Sequence, residues 1–375
     1  MTLFNAGAMR PANDAARLSA ANDLVRRTLA QHGLMAPDGQ GATAQPAAMP
    51  SLQGALDKYL RLAGAAADLP VPMPDGASFE ADTFACTAGE RRYRTYVPAS
   101  VSGSGRATGV VVMLHGCTQT PEDFAAGTGM NALADTHGFV VVYPAQSRGD
   151  NAQSCWNWFS CGDQRRGRGE PAILAALAQH VCADYGVARD RTFVAGLSAG
   201  AAMAVILGET YPDVFAAVGA HSGLPAGSAK DVASAFAAMA GNAVTAAAPA
   251  KATQRVRTIV FHGTQDSTVH PSNSDAIVRR ARDAHAPNSV QTTTQGDAGG
   301  RGFTRVVSSD LDGAMLVEHW TVQGQGHAWS GGQPAGSYTD RSGPDASAEM
   351  IRFFLDADGR RAWHGKDDPH LRRGR

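Results

Sequence analysis

Cysteine, charge of one sign and long apolar runs are all scarce in this chain. Five cysteines in 375 residues (Cys86, Cys117, Cys155, Cys161 and Cys182) are too few for a disulfide-built scaffold, and without a CxxC pair they give no zinc-ligand spacing. Spacing alone leaves a bridge among Cys117, Cys155 and Cys161 open. A formal net charge of −1 offers no electrostatic footprint for nucleic acid and suits a neutral or apolar substrate. No apolar run approaches the ~20 residues of a membrane span. The opening stretch MTLFNAGAMRPANDAARLSAANDLVRRTLAQHG has no basic segment followed by an unbroken apolar one, so a cytoplasmic location is expected. Oligomeric state leaves no trace in the sequence.

What is present is ample apolar material, 43% of residues, enough for one large α/β domain with appendages. Residues 1–80 are expected to form an N-terminal extension, partly helical, with 15–34 amphipathic and 35–50 a flexible linker. A domain is expected over 81–357, followed by a basic, disordered tail at 358–375. Within the domain, short and nearly continuous apolar runs such as GVVVMLHG (109–116) and GFVVVYP (138–144) read as strands buried on both faces. RRYRTYVP (91–98), RTFVAG (191–196), FAAVGAHSG (215–223), RTIVFHG (257–263) and VEHWTVQG (317–324) continue the series. Helices are expected between them at 130–137, 172–185, 199–211, 275–283 and 346–355. Alternating strand and helix predicts an α/β, doubly wound, mostly parallel sheet flanked by helices.

In such sheets ligands bind beyond the carboxyl ends of the strands. Ser198, Asp266 and His327 each stand just past a predicted strand, in the order Ser, Asp, His. Ser198 lies within Gly196-Leu197-Ser198-Ala199-Gly200, a strand-to-helix G-x-S-x-G turn that lifts a hydroxyl to the sheet edge. A serine needs an imidazole to take its proton, and that imidazole needs a carboxylate to fix its tautomer. Asp266 is preferred as that acid because Asp275 opens a helix and Asp310 and Asp312 read as a hairpin turn. The backbone N–H groups of Cys117 and Ala199 are the expected oxyanion donors. His221-Ser222 reads as a structural pair, and His262 and His270 as scaffolding around the acid. Trp156 and Trp158, with Trp329 near His327, are either core or an apolar wall for an acyl group. This chemistry calls for no cofactor or metal.

The stretches LHGCTQTPEDFAAGTGMNALAD, CWNWF, RRGRGEPA, VAGLSAGAAMAVILGETYPDVFAAVGAHSGL, FHGTQDSTVHP and GQGHAWSGG occur in order. Together they resemble the poly(3-hydroxybutyrate) depolymerase family of esterases over roughly 85–356. The resemblance implies an α/β-hydrolase fold and a serine carboxylesterase acting on short-chain esters or polyesters. Its relatives also include feruloyl esterases and enzymes acting on poly(aspartic acid), which keeps an amidase or peptidase as the alternative. A non-catalytic binding protein of the same fold is the remaining alternative. The resemblance also implies nucleophile, acid and base at Ser198, Asp266 and His327, a Cys117–Cys155 bridge, and an extracellular location. No Thr/Ser-rich linker with a C-terminal binding module is visible, which favours soluble oligomers or small esters as substrate.

Overall fold

The computed structural model describes residues 73–242, 256–285 and 289–356. Most of the expected N-terminal extension and linker, and the tail 358–375, lie outside the described residues. Twelve strands run in chain order: β1 Ser78–Cys86, β2 Gly89–Val97, β3 Val110–Leu114, β4 Val140–Pro144, β5 Thr192–Leu197, β6 Ala217–His221, β7 Arg257–Gly263, β8 Val290–Ala298, β9 Arg301–Ser309, β10 Met315–Val322, β11 Trp329–Ser330 and β12 Thr339–Asp340. The helices are α1 Ala99–Ser102, α2 Pro121–Thr128, α3 Met130–His137, α4 Gly169–Asp184, α5 Ala199–Thr210, α6 Val232–Met239, α7 Ser272–Ala284 and α8 Ala346–Leu355.

Ten strands form one sheet in the order β1-β2-β4-β3-β5-β6-β7-β10-β9-β8, and β11 pairs with β12 in a small second one. The six central strands, β4 to β10 in that order, are parallel to their neighbours. Antiparallel pairs close both edges, β1-β2-β4 on one side and β10-β9-β8 on the other. Every residue of β3, β4, β5 and β6 is buried, which is why these strands read as unbroken apolar runs.

The pleat divides the core in two. Val110, Val112, Leu114 and Val194 face one cluster with Leu174 and Leu177 of α4 and Met203 and Ile206 of α5. Val111, Met113, Phe193 and Ala195 face the other, with Phe124 of α2, Met130 of α3 and Phe353 and Phe354 of α8. Successive strand side chains alternate between the two, as period-two geometry demands. The helices start where the chemistry permits: Thr120 caps α2 through Asp123 N–H, and Asp345 caps α8 through Ala348 N–H. No helix among the described residues is long and apolar enough to cross a membrane.

Candidate functional site

β5 ends at Leu197 and α5 begins at Ala199, so Ser198 alone makes the turn, with φ 57° and ψ −119°. That backbone is costly for a residue with a Cβ. Small neighbours make it possible. A Cβ on Gly200 would sit 2.0 Å from the Leu114 carbonyl oxygen and 2.6 Å from that of His115. A Cβ on Gly196 would sit 2.5 Å from the Gly200 carbonyl carbon. The turn is therefore pressed against the end of β3, the strand that leads into Cys117. Neither Ala199 N–H nor Cys117 N–H takes part in a hydrogen bond among the described residues.

Asp266 follows β7 and is buried. Its Oδ1 accepts from the N–H groups of Thr268 and Val269, at 3.0 and 2.9 Å, and its Oδ2 lies 2.8 Å from His327 Nδ1. Burial alone would raise its pKa, but the hydrogen bonds and charges of His262 and His327 outweigh it and hold the carboxyl well below its ordinary range. His327 lies past β10. The two loops touch because Gly263 has no side chain: a Cβ there would lie 2.2 Å from the Gln325 carbonyl oxygen. Gln265 N–H donates to that same oxygen at 2.9 Å.

The structure thus brings Asp266 and His327 into direct contact, while no hydrogen bond joins Ser198 to His327. What ties the serine turn to the histidine loop is His221, at the end of β6. Its carbonyl accepts from Ser198 N–H at 2.9 Å, and its Nε2 accepts from Ser330 N–H at 3.0 Å. Its ring stacks on Trp329, 5.1 Å between centroids, and its Nδ1 lies 3.2 Å from Ser222 Oγ. Burial, then the nearby His262 and His327, push its pKa down to about 3, which keeps it a neutral acceptor. His262 Nε2 lies 2.8 Å from the Val269 carbonyl and 3.4 Å from Asp266, bracing the acid's loop.

The bridge between Cys117 and Cys155 is present, and Cys86, Cys161 and Cys182 are free. It staples the post-β3 loop to residues 145–160, alongside Thr118 N–H to the Gln153 carbonyl (2.8 Å) and Trp156 Nε1–H to the His115 carbonyl (3.0 Å). Of the tryptophans expected as core or as an apolar wall, Trp156, Trp158 and Trp329 are 0, 5 and 1% exposed and are packed in the core. Trp156 faces inward because its indole N–H finds a carbonyl there, and Trp329 because its own donates to Ser347 Oγ at 3.0 Å.

Several residues around the site escaped the sequence reading. Arg91 reaches Gln146 and Asp150 and lies over the Trp156 ring, 5.6 Å from its centroid. Glu170 accepts from the N–H and side-chain amide of Asn157, both at 2.8 Å, and burial raises its pKa to about 7. Gln119 accepts from Gly116 N–H and donates to Asp123 and to the Ser337 carbonyl. Arg91 also approaches Glu170 at 3.8 Å, and a buried Arg–Glu contact between strand β2 and helix α4 has no sequence spacing to reveal it. Backbone strain offers another signal: among the described residues, the non-glycine ones with positive φ are Thr118, Ser154, Ser198, Ser222 and Tyr338. Each is part of this constellation or adjoins it.

Chemically, an imidazole whose Nδ1 faces a buried carboxylate keeps Nε2 free as a base. A strained serine with unoccupied N–H donors nearby is a matching acceptor of that service.

A family model described as esterase PHB depolymerase matches residues 92–293. The chain is 35% identical over 258 residues to poly(3-hydroxyalkanoate) depolymerase C of Paucimonas lemoignei, covering 66% of this chain and 61% of that protein. It is 29% identical over 220 residues to a probable acetylxylan esterase A of Aspergillus flavus, covering 53% of this chain and 70% of that one. The chain therefore spans less than two thirds of the depolymerase's length. Among solved structures, an acetyl xylan esterase from Aspergillus awamori aligns with a TM-score of 0.58 at 21% identity, over 74% of this chain and 98% of that chain.

Proposed function

Because the chain belongs to the esterase PHB depolymerase family and has the α/β-hydrolase fold, we propose that it is a serine carboxylesterase working through Ser198, His327 and Asp266. The substrate is a short-chain ester or a polyester of the hydroxyalkanoate kind. His327 Nε2 takes the Ser198 proton as Oγ attacks the ester carbonyl, and Asp266 holds the imidazole tautomer and balances its charge. The tetrahedral oxyanion rests on the N–H groups of Ala199 and Cys117. His327 then gives its proton to the departing alkoxide, and water repeats the attack on the acyl-enzyme.

The single observation that carries this reading is the 2.8 Å contact between His327 Nδ1 and buried Asp266, made on the sheet edge that also carries the strained Ser198 turn. The names of the relatives support ester rather than amide chemistry, and the acetylxylan esterase keeps an acetyl ester as the second candidate substrate. Hydrolysis of p-nitrophenyl butyrate tests it. Ser198→Ala is expected to lower kcat by about 10⁴-fold or more. A Ser198→Ala protein with wild-type turnover would show the proposal to be wrong.

A further inference from the structure

We propose that Tyr338 forms the rim of the substrate cleft and contacts the part of an extended ester beyond the scissile bond, so that it selects extended esters over small ones. This rests on the esterase reading above and names the substrate class of that same site.

Tyr338 spans the gap between the two loops that matter. Its carbonyl accepts from Trp329 N–H at 2.7 Å, two residues past His327. Its hydroxyl lies 3.2 Å from Thr118 Oγ1, one residue past Cys117. The ring thus bridges the base-bearing loop and the loop of the proposed oxyanion donor. It is also 42% exposed, whereas the other large hydrophobics exposed among the described residues sit elsewhere: Met73 ahead of β1, Val290 on edge strand β8 and Leu311 in the β9–β10 turn.

The residues beside Tyr338 are clamped. Ser337 N–H and Oγ–H donate to Asp123 at 2.9 and 2.6 Å, and Gln119 Nε2 donates to the Ser337 carbonyl at 3.1 Å. Tyr338 and Thr118 both carry left-handed backbones, with φ of 52° and 69°. Such strain is costly for residues with bulky side chains. An exposed ring recovers little of that cost through burial. A strained, clamped, solvent-facing aromatic joining these two loops is better explained by what it contacts in a ligand. The ring offers a flat apolar surface, with its hydroxyl already engaged by Thr118. It suits an aliphatic ester unit or an aryl ring attached one unit beyond the bond that is cut.

The test uses Tyr338→Asn, which removes the ring while tolerating the left-handed backbone, and Tyr338→Phe, which keeps the ring. kcat/KM is measured by pH-stat titration for ethyl acetate, the methyl ester of a hydroxybutyrate trimer, and methyl ferulate. The readout is the ratio of each larger substrate to ethyl acetate, which is independent of how much of a variant is folded. Tyr338→Asn is expected to lower that ratio about tenfold, chiefly through KM, for the trimer if the unit is aliphatic or for the ferulate if it is aryl. Tyr338→Phe is expected to hold the ratio within about threefold of wild type. Unchanged ratios in Tyr338→Asn, or an equal loss in both variants, would overturn the proposal. Labelling of the wild-type protein by a fluorophosphonate separates the two levels. A labelled enzyme with unchanged ratios refutes the rim alone, whereas an unlabelled, inactive one refutes the esterase reading and the rim with it.

Discussion

His221 gives the sharpest quantitative expectation, because a fully buried imidazole held neutral makes folding depend on pH. In the folded chain its pKa is about 3, against an ordinary value of 6.5. Between those values the unfolded chain binds a proton that the folded one refuses, so stability is complete above pH 6.5 and is lost as the pH falls toward 3. At about pH 5 the loss from His221 alone is about 2 kcal/mol. His115 and His319, both lowered by burial to about 4, act with the same sign. Glu170 opposes them: its folded value of about 7 exceeds 4.5, so its contribution is present below 4.5 and lost as the pH rises through 7. Across the shared window the three histidines take up protons on unfolding and Glu170 releases one, while His137, also lowered by burial, adds to the histidines' side. His221→Phe keeps the ring's shape and removes one of those protons, so its slope should be shallower by about 1 kcal/mol per pH unit averaged over about pH 5 to 7, steepest at the acid end. At neutral pH it should already be weaker by about 1–3 kcal/mol, since Ser330 N–H loses its acceptor. Urea unfolding followed by tryptophan fluorescence between about pH 5 and 7 measures both quantities, and the other titrating groups cancel in the difference. Parallel stability-versus-pH lines for the two proteins would refute the reasoning.

Three further changes probe the packing around the site. Gly200→Ala forces a Cβ onto the Leu114 carbonyl and should cost about 3 kcal/mol and most of the esterase activity, read by thermal melting and p-nitrophenyl butyrate turnover; a wild-type melt would contradict it. Replacing both Cys117 and Cys155 by serine opens a loop of sequence separation 38 and should cost about 4 kcal/mol, with the reduced wild-type protein matching the variant in urea unfolding. Trp156→Ala should lose about 3–5 kcal/mol of stability while leaving the ratio of acetyl to butyryl ester hydrolysis unchanged, because the indole is buried.

Legibility in the sequence followed burial. Strands β3 to β7 are enclosed by helices, so each leaves a compact apolar run, whereas β10, MLVEHWTV, carries Glu318 and His319; in both cases the polar residue after the strand stands out. In the sequence, Ser198, Asp266 and His327 stand out this way. β8, VQTTTQGDA, is exposed along all but its last residue and has no apolar alternation, so nothing in its composition announces a strand. Its place is set by pairing with β9 across the Gly299–Gly300 turn, a tertiary fact. The burial of the tryptophans was illegible for a different reason. Proximity in sequence to the cleft says nothing about direction, and the acceptors that turn Trp156 and Trp329 inward lie 41 and 18 residues away. Tyr338 was out of reach altogether, since its partner Thr118 is 220 residues distant.

The site also divides its labour between two kinds of contact. The Ser198 turn, the Asp266 loop and the His327 loop are set against one another mainly by backbone: Gly200 on the Leu114 carbonyl, Gly263 on the Gln325 carbonyl, Ser198 N–H on the His221 carbonyl. Backbone contacts of this kind depend on a few glycines and on sheet register, and they tolerate almost any change elsewhere. The proposed rim is instead made by side chains on loops, Thr118 and Tyr338, joined by a hydrogen bond that a single substitution can alter. A scaffold built this way can hold its reaction constant while its substrate varies, as the depolymerase and acetylxylan esterase names among its relatives suggest. Substitutions on the rim should therefore move the ratio of kcat/KM between esters, whereas substitutions at the glycines should lower all esters together.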